Sequence, residues 1–181
     1  MNAKIEAIEK QLYELKQELT KERQKAKPQP VKDYAFKTAK GKATLSQLFG
    51  KADDLIVIHN MGKSCNYCTM WADGINGYLK HLTRRATIVL VSPDTPAAQA
   101  KHAKLRGWKF KMVSDRGGDF TPDMGFKSQE GYGPGVSTFH KRKNGTIVRT
   151  GKAWFGPGDD FCPPWHFFDL LDKGPNGWEP Q

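Results

Sequence analysis

The chain has 181 residues, 38% of them apolar, with 29 Lys and Arg against 19 Asp and Glu and only 3 Cys. This composition excludes a collagen, a disulfide-stapled scaffold and a membrane-spanning chain, and a length beyond about 150 residues lets a fold bury roughly two thirds of its unfolded surface without staples. The cysteines are therefore free for chemistry. The net charge of +10 raises nucleic acid as a partner, but the basic residues are dispersed, and the one tight cluster, Lys141-Arg142-Lys143, suits a solvated hairpin tip.

No apolar run of signal-peptide length stands near the start, because Ile5 and Ile8 are already parted by charges. The sequence thus places the chain in the cytoplasm, away from membranes, where paired cysteines point to redox or metal chemistry rather than to a structural disulfide.

From Ala3 to about Lys25, Ile5, Ile8, Leu12, Leu15 and Leu19 recur at steps of 3 and 4, which predicts an amphipathic helix. The same stripe is a heptad seam of barely two and a half repeats, so it packs on its own domain or on a partner subunit, or pairs two copies into a homodimer. Lys27-Pro28-Gln29-Pro30 ends it, since proline removes a backbone donor and pushes its predecessor to extended geometry. Asp33–Lys37 alternates as a strand, and Thr44–Gly50 reads as one capped helical turn. Leu55–His59 is an apolar run suited to a strand buried on both faces.

A helix follows from about Cys65 to Leu82, with Tyr67, Met70, Trp71, Gly74, Tyr78 and Leu82 inward; Gly74 and Gly77 weaken it and suggest a kink or a close approach. Thr87–Val91 is a second buried strand, 95–106 a helix, and Phe110–Val113 a third strand, an alternation that implies parallel pairing with helices on the sheet faces. The stretch from Ser114 to Pro134 reads mostly as loop. Val136–Lys141 and Thr146–Thr150 flank an Asn144-Gly145 hairpin signal, and Pro163–Leu171 is a closing helix with Trp165, Phe168 and Leu171 inward.

Cys65-Asn66-Tyr67-Cys68 stands directly after a buried strand and at the start of a helix. Free N–H groups and the positive dipole end favour a thiolate there, so Cys65 is the candidate nucleophile and Cys68, one turn on, the resolving thiol. Lys63 and His59 are candidates to add positive potential, Trp71 reads as core, and Asp73 is either an exposed charge or a buried proton-transfer group. Half of a zinc site has the same cysteine spacing, but the other half would have to be recruited from Cys162 and one of His59, His81, His102, His140 or His166. Cys162, before Pro163-Pro164, reads as a small buried residue, and nothing in the pattern calls for a cofactor.

The βαβαβ order, the following hairpin and the placement of the cysteine pair resemble the thioredoxin fold. More narrowly, the chain resembles a thioredoxin-like family of unassigned function described as predicted dithiol–disulfide oxidoreductases. The residues that carry this are Glu18–Arg23, Lys32–Phe36, Cys65–Gly74 with His81-Leu82, Gly107–Phe110, Gly118–Phe120 and Phe168–Leu170, spread over residues 11–172. The resemblance implies an α/β three-layer sandwich with a central mixed sheet over 31–181, preceded by the helix and linker of 1–30. It also implies a disulfide-bearing protein or a small-molecule thiol as the substrate of Cys65 and Cys68.

Two departures from thioredoxin itself stand out. Ser64 precedes the cysteines and Asn66-Tyr67 separate them, where thioredoxins have Trp and Gly-Pro, and by pattern Ser137 occupies the place of the proline that opens the strand facing the thiols. Metal capture by the pair and a redox-silent interaction module are the alternatives. A peroxiredoxin reading is weaker, because neither cysteine has both a Thr or Ser three residues upstream and a proline further back.

Overall fold

Leu55, Val57 and Ile58 have no polar partner in their run and are buried at the centre of an eight-stranded sheet in the computed structural model, which describes residues 2–181. The elements along the chain are α1 (Ala3–Lys25), β1 (Gln29–Pro30), β2 (Ala35–Thr38), β3 (Gly41–Thr44), α2 (Leu45–Leu48), β4 (Asp54–His59), α3 (Asn66–Leu82), β5 (Thr87–Ser92), α4 (Pro96–Arg106), β6 (Lys111–Ser114), α5 (Phe120–Asp123), β7 (Lys127–Ser128), β8 (Gly131–Tyr132), β9 (Gly135–Lys141), β10 (Ile147–Trp154) and α6 (Pro164–Phe168). The sheet order is β1-β10-β9-β4-β5-β6-β2-β3, with β7 and β8 forming a separate ribbon. β4, β5 and β6 are parallel, as the alternation of strand and helix predicts, while β9 lies antiparallel to β4 with Gly135 opposite His59.

Period-two geometry sends alternate residues to opposite faces and so builds two cores. On one face Leu55, Val57, Val89 and Val113 meet Phe36, Leu48, Phe49, Phe120, Phe126 and Phe139. On the other, Ile58, Ile88 and Leu90 meet Trp71, Ala72 and Ile75 of α3 together with Trp108, Phe155 and Trp165. The result is the expected three-layer α/β arrangement around a mixed sheet.

Several elements differ from expectation. The stretch 114–134 contains α5 and the β7–β8 ribbon, and it contributes Phe120, Met124 and Phe126 to the core, each less than 5% exposed. β10 runs to Trp154 rather than ending at Thr150, because a bulge between Arg149 and Gly151 breaks the alternation that marks a strand in sequence. α3 is unbroken, and a Cβ at Gly74 or Gly77 would meet nothing within 4 Å, so neither glycine serves a close approach. Its buried face is Cys68, Thr69, Trp71, Ala72 and Ile75, whereas Tyr78, expected inward, is exposed. α6 ends at Phe168, and Leu171 is exposed: the chain turns there, and Trp178 returns to pack on Trp165 and Phe168 at 5.7 and 4.7 Å between ring centroids.

α1 is capped by Asn2, whose side chain accepts from the Lys4 amide at 2.9 Å, yet not one of its residues is buried. Its apolar stripe is not packed on its own domain. No helix among the described residues is long and apolar enough to cross a membrane.

Asp73 is neither a free charge nor a buried proton carrier. Its Oδ1 accepts from the Trp108 indole at 2.7 Å and from Arg106 Nε at 3.2 Å, tying α3 to the end of α4 and the approach to β6. Asp73→Ala is expected to cost about 1–2 kcal/mol, a charge-assisted pair discounted for its partial exposure. Asp73→Asn, which keeps an acceptor for Trp108, should recover about half of that loss, as read by urea unfolding.

Candidate active site

β4 ends at His59 and its chain must turn sharply into α3, so the loop between them decides where the cysteines sit. Three polar groups hold that loop. The Asn60 amide donates to Val91 O at 3.0 Å, and its side-chain Oδ1 accepts from the Gly62 amide at 2.8 Å. Asp94, just beyond β5, accepts from the Lys63 amide at 2.8 Å. Gly62 has φ +114°, and an added Cβ would come within 3.3 Å of the Asp94 carboxylate, so backbone freedom and close approach coincide there.

Cys65 is the N-cap residue of α3, where amides of the first turn have no helical acceptor. Its Sγ accepts from the Cys68 amide at 3.1 Å, and its carbonyl accepts from the Thr69 amide at 3.0 Å and the Thr69 hydroxyl at 3.1 Å. The hydrogen bond from the Cys68 thiol is the largest influence on Cys65. Together with the amides of Cys68 and Tyr67, and against partial burial, it lowers the Cys65 pKa to about 6. Cys68 moves the opposite way, its thiol held protonated by the same bond to Cys65 and by burial. The pair thus divides into a partly exposed cysteine of lowered pKa and a buried thiol held protonated, and none of the three cysteines is in a disulfide.

A cavity of about 340 Å³ opens over Cys65, lined by Met61, Ser64, Asn66, Tyr67, Glu179 and Pro180. One wall is therefore the chain beyond α6. Tyr67 stacks on Trp165 at 6.0 Å, Trp165 carries Trp178, and Glu179 and Pro180 follow at the cavity's edge.

Other residues singled out in the sequence are placed elsewhere. His59 points to the far face of the sheet, 1% exposed and stacked on Phe126 at 3.9 Å, and burial keeps its imidazole neutral. It supplies no positive potential to Cys65, because a strand-end side chain on the face opposite α3 cannot reach the thiols. Lys63 is exposed and engaged through its backbone amide. Ser137 lies inside β9, opposite Val57, and its hydroxyl meets His59 Nε2 at 3.0 Å. The proline directly before β9 is Pro134, in the trans form, and its carbonyl accepts from the Phe155 amide at 3.1 Å.

Trp71 and Cys162 are core residues, and burial raises the Cys162 pKa to about 11. Among the described residues no three His, Cys, Asp or Glu side chains are grouped to hold a metal ion. Asn60, Asp94 and Glu179 were not foreseen as site residues. Asn60 and Asp94 follow the carboxyl ends of adjacent parallel strands, the edge where open α/β sheets gather their sites, and that position was the available signal.

A cysteine at the carboxyl end of a central parallel strand, with an antiparallel hairpin beyond it and helices on both faces, defines a thioredoxin-like fold. Solved structures share this fold. Reduced Prx3 of Vibrio vulnificus aligns with a TM-score of 0.60 at 14% identity, covering 74% of this chain and 89% of that one. Peroxidoxin BcpB of Mycobacterium tuberculosis aligns at 0.54 with 23% identity, covering 66% and 80%. The bacterioferritin comigratory protein of Xanthomonas campestris, described for alkyl peroxide reduction, aligns at 0.56 with 17% identity, covering 66% and 79%. By sequence, the chain belongs to the family described as bacterial protein of unknown function, DUF899, which matches residues 2–180. No curated protein matches it.

Proposed function

We propose that this protein is a thiol–disulfide oxidoreductase with Cys65 as nucleophile and Cys68 as resolving thiol. The observation that carries this is the division of the pair at the start of α3: one thiolate facing a cavity, one protonated thiol beneath it. In the first step the Cys65 thiolate attacks one sulfur of a substrate disulfide. A sulfur–sulfur bond forms to Cys65, the substrate bond breaks, and the departing thiolate takes a proton from solvent. The negative charge on Cys65 is then gone, and with it the interaction that most strongly kept Cys68 protonated. Cys68 releases its proton, attacks Cys65 Sγ and expels the second substrate thiolate. The substrate gains two electrons and the protein becomes the Cys65–Cys68 disulfide, to be reduced again by a thiol donor.

The substrate class is a protein disulfide or a small disulfide able to enter an open cavity of about 340 Å³. With the Cys65 pKa lowered to about 6, the reactive thiolate forms as pH rises through that value, well below the range of an ordinary thiol. Reduction of insulin or of a small aromatic disulfide is therefore expected to show an acidic limb with its midpoint near pH 6. No turnover above the rate of the donor thiol alone would overturn the proposal.

Peroxide reduction is a second reading, favoured by the fold shared with a protein described for alkyl peroxide reduction. Cys65 sulfur would take the terminal peroxide oxygen, releasing an alcohol or water, and Cys68 would condense with the resulting sulfenic acid, releasing water. Rapid oxidation of the reduced protein by hydrogen peroxide, well above the rate of free cysteine, would favour this reading over disulfide exchange.

A further inference from the structure

α1 and the sheet face nearest to it are both left open. Ile5, Ile8, Leu12, Leu15 and Leu19 remain 46–60% exposed, although their spacing gathers them into one stripe. On the α3 side of the sheet, α6 is only five residues long and packs at the thiol end against Tyr67. The remainder of that face is an apolar groove of about 550 Å³, floored by Ile56, Ile58, Val136 and Ala153 and walled by Tyr78 and Phe161. This groove explains why Ile56 is only partly buried in an otherwise buried strand and why Tyr78 is exposed.

We propose that the groove is the seat for α1 of a second copy of this chain, in a two-fold dimer that exchanges the helices reciprocally. The chain's own helix is rooted at the mouth of the groove without filling it. Lys16 pairs with Asp160 at 2.6 Å, and Asp160 and Arg23 both line the groove. The linker to β1 is three residues ending in Pro28, and β1 is fixed on β10 with Gln29 opposite Arg149. The root of α1 is thereby held on the rim, and the stripe runs past it.

Two-fold symmetry turns this into a closed arrangement, since the stripe of each copy meets the groove of the other. The area suffices. A helical segment about 25 Å long and about 10 Å across has a footprint of about 250 Å². Two such contacts, counted on both surfaces, bury about 1,000 Å², the scale at which a specific interface begins.

The test is sedimentation of the full chain at tens of micromolar, combined with photo-cross-linking of protein in which Leu12 is replaced by a benzophenone amino acid. Isotopically heavy and light copies are mixed before irradiation. A dimer is expected, with cross-links from α1 of one isotope to peptides carrying Ile58, Val136 or Ala153 of the other. Leu12→Glu with Leu15→Glu is expected to give a monomer with unchanged circular dichroism and unchanged disulfide turnover, since both positions are exposed and neither lines the cavity over Cys65. A monomeric wild type overturns the proposal. So do cross-links between two α1 helices, which would mean a short coiled coil, and cross-links confined to single-isotope chains, which would mean closure onto the chain's own groove. Because the readout is mass and connectivity, failure here leaves the redox reading untouched.

Discussion

Cys65→Ser is expected to lower disulfide-exchange turnover by about a hundredfold or more, because a serine hydroxyl stays protonated where the thiol is ionised. Cys68→Ser should behave differently: the first attack proceeds, no second thiol follows, and the mixed disulfide accumulates as one substrate mass per chain. Mass spectrometry after non-reducing quench separates the two outcomes. The lowered pKa does not by itself predict a large rate gain. At pH 7 about nine tenths of a thiol with pKa 6 is ionised, against about one hundredth for pKa 9. A more stable thiolate is a weaker nucleophile, and with a Brønsted slope near 0.4–0.5 the roughly ninetyfold gain in population shrinks to a few-fold. What the geometry adds is selectivity between the two thiols. Equal retention of turnover by both variants would exclude the assigned roles.

Phe120→Ala is expected to be the most damaging single change to stability, at about 3–5 kcal/mol, or a midpoint lower by roughly 1–2 M in urea unfolding. Phe120 is fully buried and packs its ring against Tyr34 at 5.1 Å, Phe36 at 4.9 Å and His59 at 5.5 Å. Removing it leaves a cavity between rings held by the segment entering β2 and by the end of β4, which cannot collapse together. Leu171→Ala is the matching control, expected within about 0.5 kcal/mol of the parent because Leu171 is exposed. Sequence periodicity ranks these two the other way, with Phe120 in a loop and Leu171 on an inward helical face.

The reason for that inversion is physical. Periodicity reports burial only where a regular element repeats often enough to show a face. Leu55–His59, Thr87–Val91 and the start of α3 do so, and the strand–helix alternation with Cys65 at its first junction was legible from them. α5 has only four residues, so the Gly- and Asp-rich stretch around it looks like solvent-exposed chain, although its aromatics close one face of the sheet. The bulge at Arg149 and Gly151 hides the second half of β10 in the same way.

The chain by itself determined the fold class, the place of the C-x-x-C and the amphipathic character of α1, because each depends on local spacing and on which residues avoid water. Only the tertiary structure decided how Cys65 is held, with the Cys68 amide and thiol converging on its sulfur. It also moved His59 and Ser137 out of the site and put Pro134 at the strand opening. Finally, it placed Asn60 and Asp94 to hold the loop that leads to the thiols and Glu179 at the edge of the cavity over Cys65. Those assignments rest on which side of a sheet each side chain meets and on what distant segments bring beside it, quantities that no local pattern of residues encodes.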